Sequence, residues 1–104
     1  MDGVQFKLNE QQEGAFQITE GGEQMGEMAV SIGEGVLTAH HTEVREEAEG
    51  KGYGKKLLAA MTDYARKNNL KVIPLCSYVH LQFRRHPDEY ADIWTKQQTD
   101  SSER

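Results

Sequence analysis

The sequence predicts a mixed α/β (α+β) domain, a mostly antiparallel sheet with one parallel pair of strands and flanking helices. Three observations predict it. Apolar residues alternate along the first 44 positions, a glycine-rich turn follows at 50–54, and apolar residues at helical spacing stand directly behind that turn. The first strand is read from the alternation of Val4, Phe6 and Leu8, which Phe16 and Ile18 continue in a second strand. Gly21-Gly22 supplies the positive-φ pair that a tight hairpin prefers. The return strand carries Met25, Met28, Val30 and Ile32, and its phase slips at Gly26, which predicts a bulge there. Gly33-Glu34-Gly35 turns the chain into a fourth strand, Val36 to about Val44, completing an antiparallel meander. His40 and His41 are adjacent in that strand and are expected to point to opposite faces.

The pattern changes at Arg45. Glu46, Glu47 and Glu49 read as a solvated turn leading into Gly50-Lys51-Gly52-Tyr53-Gly54. Leu57, Leu58, Met61, Tyr64 and Ala65 then recur at spacings of three and four, the apolar face of a helix that Asn68-Asn69 stops. Lys71 to Leu75 is a short apolar run, read as a buried strand parallel to the one before the helix. A second helix is expected from Ser77 to Arg85. A third starts at Pro87 and runs through Ala91 to Trp94, since proline suits a first helical turn. The segment from Lys96 onward has no apolar residue, so residues 1–95 are expected to form one domain and 96–104 a disordered tail.

Composition excludes several classes of function. At 104 residues there is room for one modest core. The hydrophobic fraction of 37% and mean hydropathy of -0.76 are low, and the polar ends account for much of that. A net charge of -5 excludes a general nucleic-acid binder, which needs a basic stripe to displace counterions. The single cysteine, Cys76, excludes an internal disulfide and a cysteine-rich zinc site. His40, His41, His80 and His86 match no recognised metal-ligand spacing, so no metal site is expected. The first residues, MDGVQFKLNEQQEG, lack the basic-then-apolar pattern of a signal peptide, and no run of about 18 apolar residues occurs. A soluble cytoplasmic protein without membrane partners is expected, as a monomer or weak homodimer.

The glycine turn carries the chemical signal. Amides at a helix start are unpaired and partly positive, so they receive phosphate oxygens. Glycine at 50, 52 and 54 removes Cβ collisions, and Lys51, Lys55 and Lys56 add local positive charge. A nucleotide P-loop does not fit, because its glycines and its Lys-Ser/Thr pair are spaced differently. A dinucleotide-binding loop follows the first strand of a parallel sheet, whereas this one follows a meander. A plain turn that merely starts a helix remains open.

Four ordered blocks extend the signal: HTEV (His41 to Val44), GKGYGKKLL (Gly50 to Leu58), KVIPLCSYV (Lys71 to Val79) and RRHPDEYADI (Arg84 to Ile93). Together they resemble the very small single-domain branch of the GCN5-related N-acetyltransferases, over roughly residues 28 to 94. The stretch Val44 to Gly54 is similar to the family's acetyl-coenzyme A segment, Arg/Gln-x-x-Gly-x-Gly/Ala, with one departure: Glu49 stands where Arg or Gln belongs. A carboxylate there repels a pyrophosphate unless solvent screens it.

The resemblance implies that the central parallel pair splays and that the pantetheine arm of acetyl-coenzyme A enters the gap. It also implies that Val44 contacts that arm through its main chain. Gly50, Lys51, Gly52, Tyr53, Gly54 and Lys55 would receive the pyrophosphate. Phe83 occupies the place where the larger superfamily has a proton-donating tyrosine. Cys76, past a buried strand and at a helix start, becomes the catalytic candidate, by covalent relay or by protonating the departing sulfur; the alternative is an inert core cysteine. His41 is the candidate general base, against a structural or solvent-facing role. Arg84 and Arg85 reach cofactor phosphates or simply end a solvated helix. Tyr78 and Tyr90 line the acceptor site or pack in the core or at the rim. Only Asn9 to Ala15 separates the first two strands, so the acceptor side is expected to be open, suited to an exposed amine or completed by another chain. The rival functions are a module that binds coenzyme A or acyl-coenzyme A without efficient turnover, and an interaction domain with a degenerate groove.

Overall fold

A computed structural model describes residues 3–95. Tight turns organise the first half of the chain. Strands β1 (Val4–Leu8) and β2 (Glu13–Glu20) are joined by a turn in which the Asn9 carboxamide oxygen accepts from the amides of Gln11 and Glu13. Gly21 and Gly22, at φ 62° and 84°, connect β2 to β3 (Glu23–Gly33). Glu34 and Gly35, at φ 51° and 79°, connect β3 to β4 (Val36–Val44). Positive φ at both central residues matches the right-handed strand twist, which is why these two-residue loops close hairpins. Helix α1 (Tyr53–Lys67) then crosses to β5 (Lys71–Pro74), followed by α2 (Ser77–Arg85) and α3 (Pro87–Tyr90). The sheet order follows the chain, β1-β2-β3-β4-β5, antiparallel except for the parallel β4–β5 pair.

Two bulges set which side chains face the helices. Ile18 pairs with Gly26 and Thr19 with Gln24, so Met25 is the extra residue, beside the glycine that the sequence singles out. A second shift lies in β4: Ala29 pairs with His41 but Val30 pairs with Ala39, leaving His40 as the extra residue. Beyond it the inward parity changes. Leu37 and Ala39 are fully buried before the bulge, while Thr42 and Val44 are the half-buried positions after it.

The core fills the helical side of the sheet. Phe16, Met28, Val30, Leu37 and Val72 from the strands meet Leu57, Met61 and Ala65 of α1 and Val79 and Phe83 of α2. Phe6 stacks on Phe16 at 4.4 Å, and both rings meet Tyr64 of α1. The end of α1 is fixed by Asn69 at φ 57°, with Leu70 N–H on Ala65 carbonyl at 2.8 Å and Asn69 N–H on Arg66 carbonyl at 3.3 Å. No described helix is long and apolar enough to cross a membrane.

The third helix is shorter than the sequence predicts, ending at Tyr90 rather than reaching Trp94. The reason is pairing at the sheet edge. Residues 91–93 stay in turns, with the Ile93 and Trp94 amides on the Tyr90 carbonyl at 3.0 and 2.9 Å. Val72 N–H then donates to the Ile93 carbonyl at 2.7 Å and Thr95 N–H to the Val72 carbonyl at 3.1 Å, a single parallel bridge at Trp94 that stops the helix. Arg66 fastens that segment, meeting both carboxylate oxygens of Asp92 at 2.9 and 3.2 Å and the Glu89 carbonyl at 2.9 Å. The disordered tail expected at 96–104 lies outside the described residues.

Two predictions follow from this packing. Met61 is fully buried between α1 and the sheet, so Met61→Ala should lower unfolding stability in urea by about 2–5 kcal/mol. The Arg66 hydrogen bond, then its charge, holds the Asp92 carboxyl below its ordinary range. Its contribution is therefore present above the ordinary carboxylate range and is lost as pH falls through the lower, folded-state value. Asp92→Asn should flatten this part of the acid limb in a pH series of thermal unfolding, with a small effect because the pair is exposed.

Candidate active site

The chain leaves β4 through Arg45 and winds into a 3-10 turn, Glu46–Ala48. Ala48 is buried and anchors the turn, while Glu46, Glu47 and Glu49 stay exposed, as a solvated acidic turn should. Arg45 bridges Glu23 at 3.3 Å and Glu47 at 3.2 Å. Glu49 donates its amide to the Glu46 carbonyl, and its carboxylate is open to solvent screening.

Helix α1 then begins on a left-handed residue. Gly52 is the N-cap at φ 84°, ψ 13°, and Gly50 lies at φ 88°. An ordinary N-cap is extended and uses a side chain to satisfy the first amides; here no side chain caps the helix and its first turn holds no acid. The first intrahelical bond runs from Lys56 N–H to Gly52 carbonyl at 3.1 Å, so the amides of Tyr53, Gly54 and Lys55 precede the helical ladder. Lys51 uses its own amide on the Ala48 carbonyl at 3.3 Å, which leaves its ammonium as its contribution. The Tyr53 ring is buried under the loop with Lys56 Nζ 5.7 Å from its centre. Lys51, Tyr53 and Lys56 border a cleft of about 290 Å³ completed by Ile18, Thr19 and Glu20 of the β2 end. An uncapped, acid-free helix start beside lysines suits a diphosphate in both geometry and charge.

A second feature lies at the sheet centre. β4 and β5 pair only from Val36–Lys71 to Ala39–Pro74, and β4 continues to Val44 without β5 beside it. Cys76 N–H donates to the Ala39 carbonyl at 2.8 Å, closing the paired region as the chain turns into α2. Cys76 is the N-cap of α2, is 4% exposed, and places Sγ 3.2 Å from the Thr42 hydroxyl of β4. Thr42 was not singled out from the sequence; the parity change at the β4 bulge is the signal that could have found it.

The histidines require a correction. They do not point to opposite faces: with His40 as the bulge residue, both are exposed on the sheet face away from the helices. His40 Nε2 meets Ser31 Oγ at 2.9 Å there. His41 is paired with Ala29 on that face, whereas Cys76 meets Thr42 on the helical side, so β4 lies between the two catalytic candidates. Val44 stands at the end of β4, half-buried. Arg84 is exposed in the last turn of α2, six residues beyond Tyr78, and Arg85 follows it. Phe83 is fully buried and stacks on Tyr90 at 4.5 Å, which makes both core residues. Among the described residues no group of His, Cys, Asp and Glu could hold a metal ion.

A profile of the GCN5-related N-acetyl-transferases matches residues 15–93. The chain belongs to this family. The match takes in most of β2, all of β3 and β4, the glycine turn, α1, β5 and both later helices. A solution structure of a GCN5-like protein from Staphylococcus aureus shares 31% identity and superposes with a TM-score of 0.66, covering 91% of each chain. No curated protein matches the chain. The family membership and the shared fold account for the mostly antiparallel sheet with its parallel β4–β5 pair.

The two glycines at the helix start should respond differently to substitution. Gly52→Ala forces a Cβ into a left-handed conformation and should cost about 1–2 kcal/mol. Gly54 is helical, and a Cβ there would meet only the tip of Tyr78 at 3.3 Å, an atom able to move. Gly54→Ala should therefore change stability by less than about 1 kcal/mol, because alanine's helix preference offsets the contact. Urea unfolding of the two variants checks the contrast.

Proposed function

We propose that this family member transfers an acetyl group from acetyl-coenzyme A to an amine on a protein or peptide. One juxtaposition carries the reading: an uncapped, acid-free helix start stands beside a strand that outruns its parallel neighbour. Gly50, Gly52, Tyr53, Gly54 and Lys55 hold the pyrophosphate with main-chain amides, and Lys51 and Lys55 add charge. Val44 and the unpaired part of β4 hold the pantetheine arm like an added strand. The thioester then lies toward Cys76.

The acceptor comes from the face without helices. Four residues, 9–12, connect β1 to β2, so among the described residues no helix covers that face, and an amine on a large partner can approach. His41, exposed there, takes the proton that the attacking nitrogen loses. The nitrogen forms a bond to the carbonyl carbon, the carbon–sulfur bond breaks, and the departing sulfur takes the electron pair and a proton. Cys76 serves at that point, either by supplying this proton or by first accepting the acetyl group on Sγ and passing it on.

Calorimetric titration with coenzyme A should show saturable binding that weakens as salt rises, because charge at the helix start contributes. Absence of saturable binding would remove the proposal. Mass spectrometry after incubation with acetyl-coenzyme A decides the role of the thiol: relay predicts an acetyl adduct absent from Cys76→Ser. Binding with neither adduct nor turnover on a panel of amines would leave a coenzyme A-binding module in place of the enzyme.

A further inference from the structure

Tyr78 stands in the first turn of α2, two residues after Cys76, and its phenol end rests on the first turn of α1. From the position a Gly54 Cβ would take, Tyr78 Cζ is 3.3 Å away and its hydroxyl oxygen 3.4 Å. The contact exists because residue 54 has no side chain. The ring thus joins the two parts of the candidate site, the helix start that suits a diphosphate and the turn that carries the thiol.

The phenol also offers a donor that no described residue uses. It is half-buried, and among the described residues its hydroxyl has no hydrogen-bond partner. Burial, then the neighbouring Cys76 sulfur, pushes its acidity to higher pH, so it remains a protonated donor under neutral conditions. The hydroxyl keeps contact with water, so a ligand carbonyl can take the place of that water on the donor. An aromatic face with one polar tip matches a chain that alternates methylene stretches with amides.

We infer that Tyr78 is a contact residue for the amide-bearing arm of the bound thiol carrier, its ring walling the path between Gly54 and Cys76 and its hydroxyl donating to an amide carbonyl of the arm. The inference rests on the coenzyme A reading above and assigns to that site a residue outside the glycine turn. It predicts selectivity within one ligand: the arm is sensed by Tyr78, the nucleotide head is not.

The test compares coenzyme A with 3′-phosphoadenosine 5′-diphosphate, the head without the arm, by calorimetry on the full chain. Tyr78→Phe keeps the ring on Gly54 and removes only the donor. It should weaken coenzyme A about fivefold, the equivalent of ~1 kcal/mol, and leave the head group within about twofold. Tyr78→Ala should weaken coenzyme A further, again sparing the head group, with thermal unfolding confirming that both variants fold. Coenzyme A binding within about twofold of the parent in both variants would overturn the inference alone. Equal weakening of both ligands would overturn it too, since Tyr78 would then act by shaping the glycine turn. A parent chain that binds the head group but gains nothing from the arm would remove any arm contact. A parent that binds neither ligand would take down the underlying reading together with the inference.

Discussion

Pairing between β4 and β5 stops at Ala39 and Pro74, and the candidate site exists because it stops there. Proline has no amide hydrogen to offer a further rung. The next available donor, Cys76 N–H, closes on the Ala39 carbonyl and commits the chain to α2. Five residues of β4, 40–44, are left without a parallel neighbour, roughly 16 Å of strand edge at the usual rise. Beside that edge Cys76, at the start of α2, meets Thr42, and Tyr78 of the same turn rests on Gly54 at the start of α1. A longer β5 would pair along that edge and close it.

The electrostatics at the start of α1 run against those of the molecule. The chain is acidic by five charges, yet the first turn of α1 contains no acid and Lys51 stands just before its N-cap. The acidic residues just upstream, Glu46, Glu47 and Glu49, are exposed, and Arg45 ties Glu47 and Glu23 together. Under the coenzyme A proposal, local charge and the orientation of main-chain amides have to outweigh a net charge that repels a polyanion at long range. Glu49 is compatible with this arrangement because it stays in water, where its field is screened.

Local patterns carried much of the fold in readable form. Alternation gave the strands, Gly21-Gly22 gave a hairpin, and the three-and-four spacing from Leu57 to Ala65 gave α1 down to its Asn69 stop. The Gly26 irregularity was legible as a phase slip, and the β4 bulge left a similar trace: inward residues change from odd, Leu37 and Ala39, to even, Thr42 and Val44. Two adjacent histidines masked that change, because either can sit in water. The end of α3 was not legible, since Trp94 obeys a partner, Val72, that is distant in sequence. The same holds at the site. Cys76 and the glycine turn stand out by local context, whereas Thr42 beside Cys76 and Tyr78 upon Gly54 are products of tertiary packing.

The one parallel junction also differs from the rest of the sheet in how much chain it spans. Hairpin neighbours meet across two to four loop residues, but Val36 waits for Lys71, beyond the turn and all of α1. Closing so long an excursion costs more entropy than closing a hairpin, and contacts of that kind are slow to form. The meander can organise itself from near neighbours; the contact between Thr42 and Cys76 comes into being only when the distant half of the chain arrives. Anything lodged between the two halves acts as a clasp on the least local joint of the molecule.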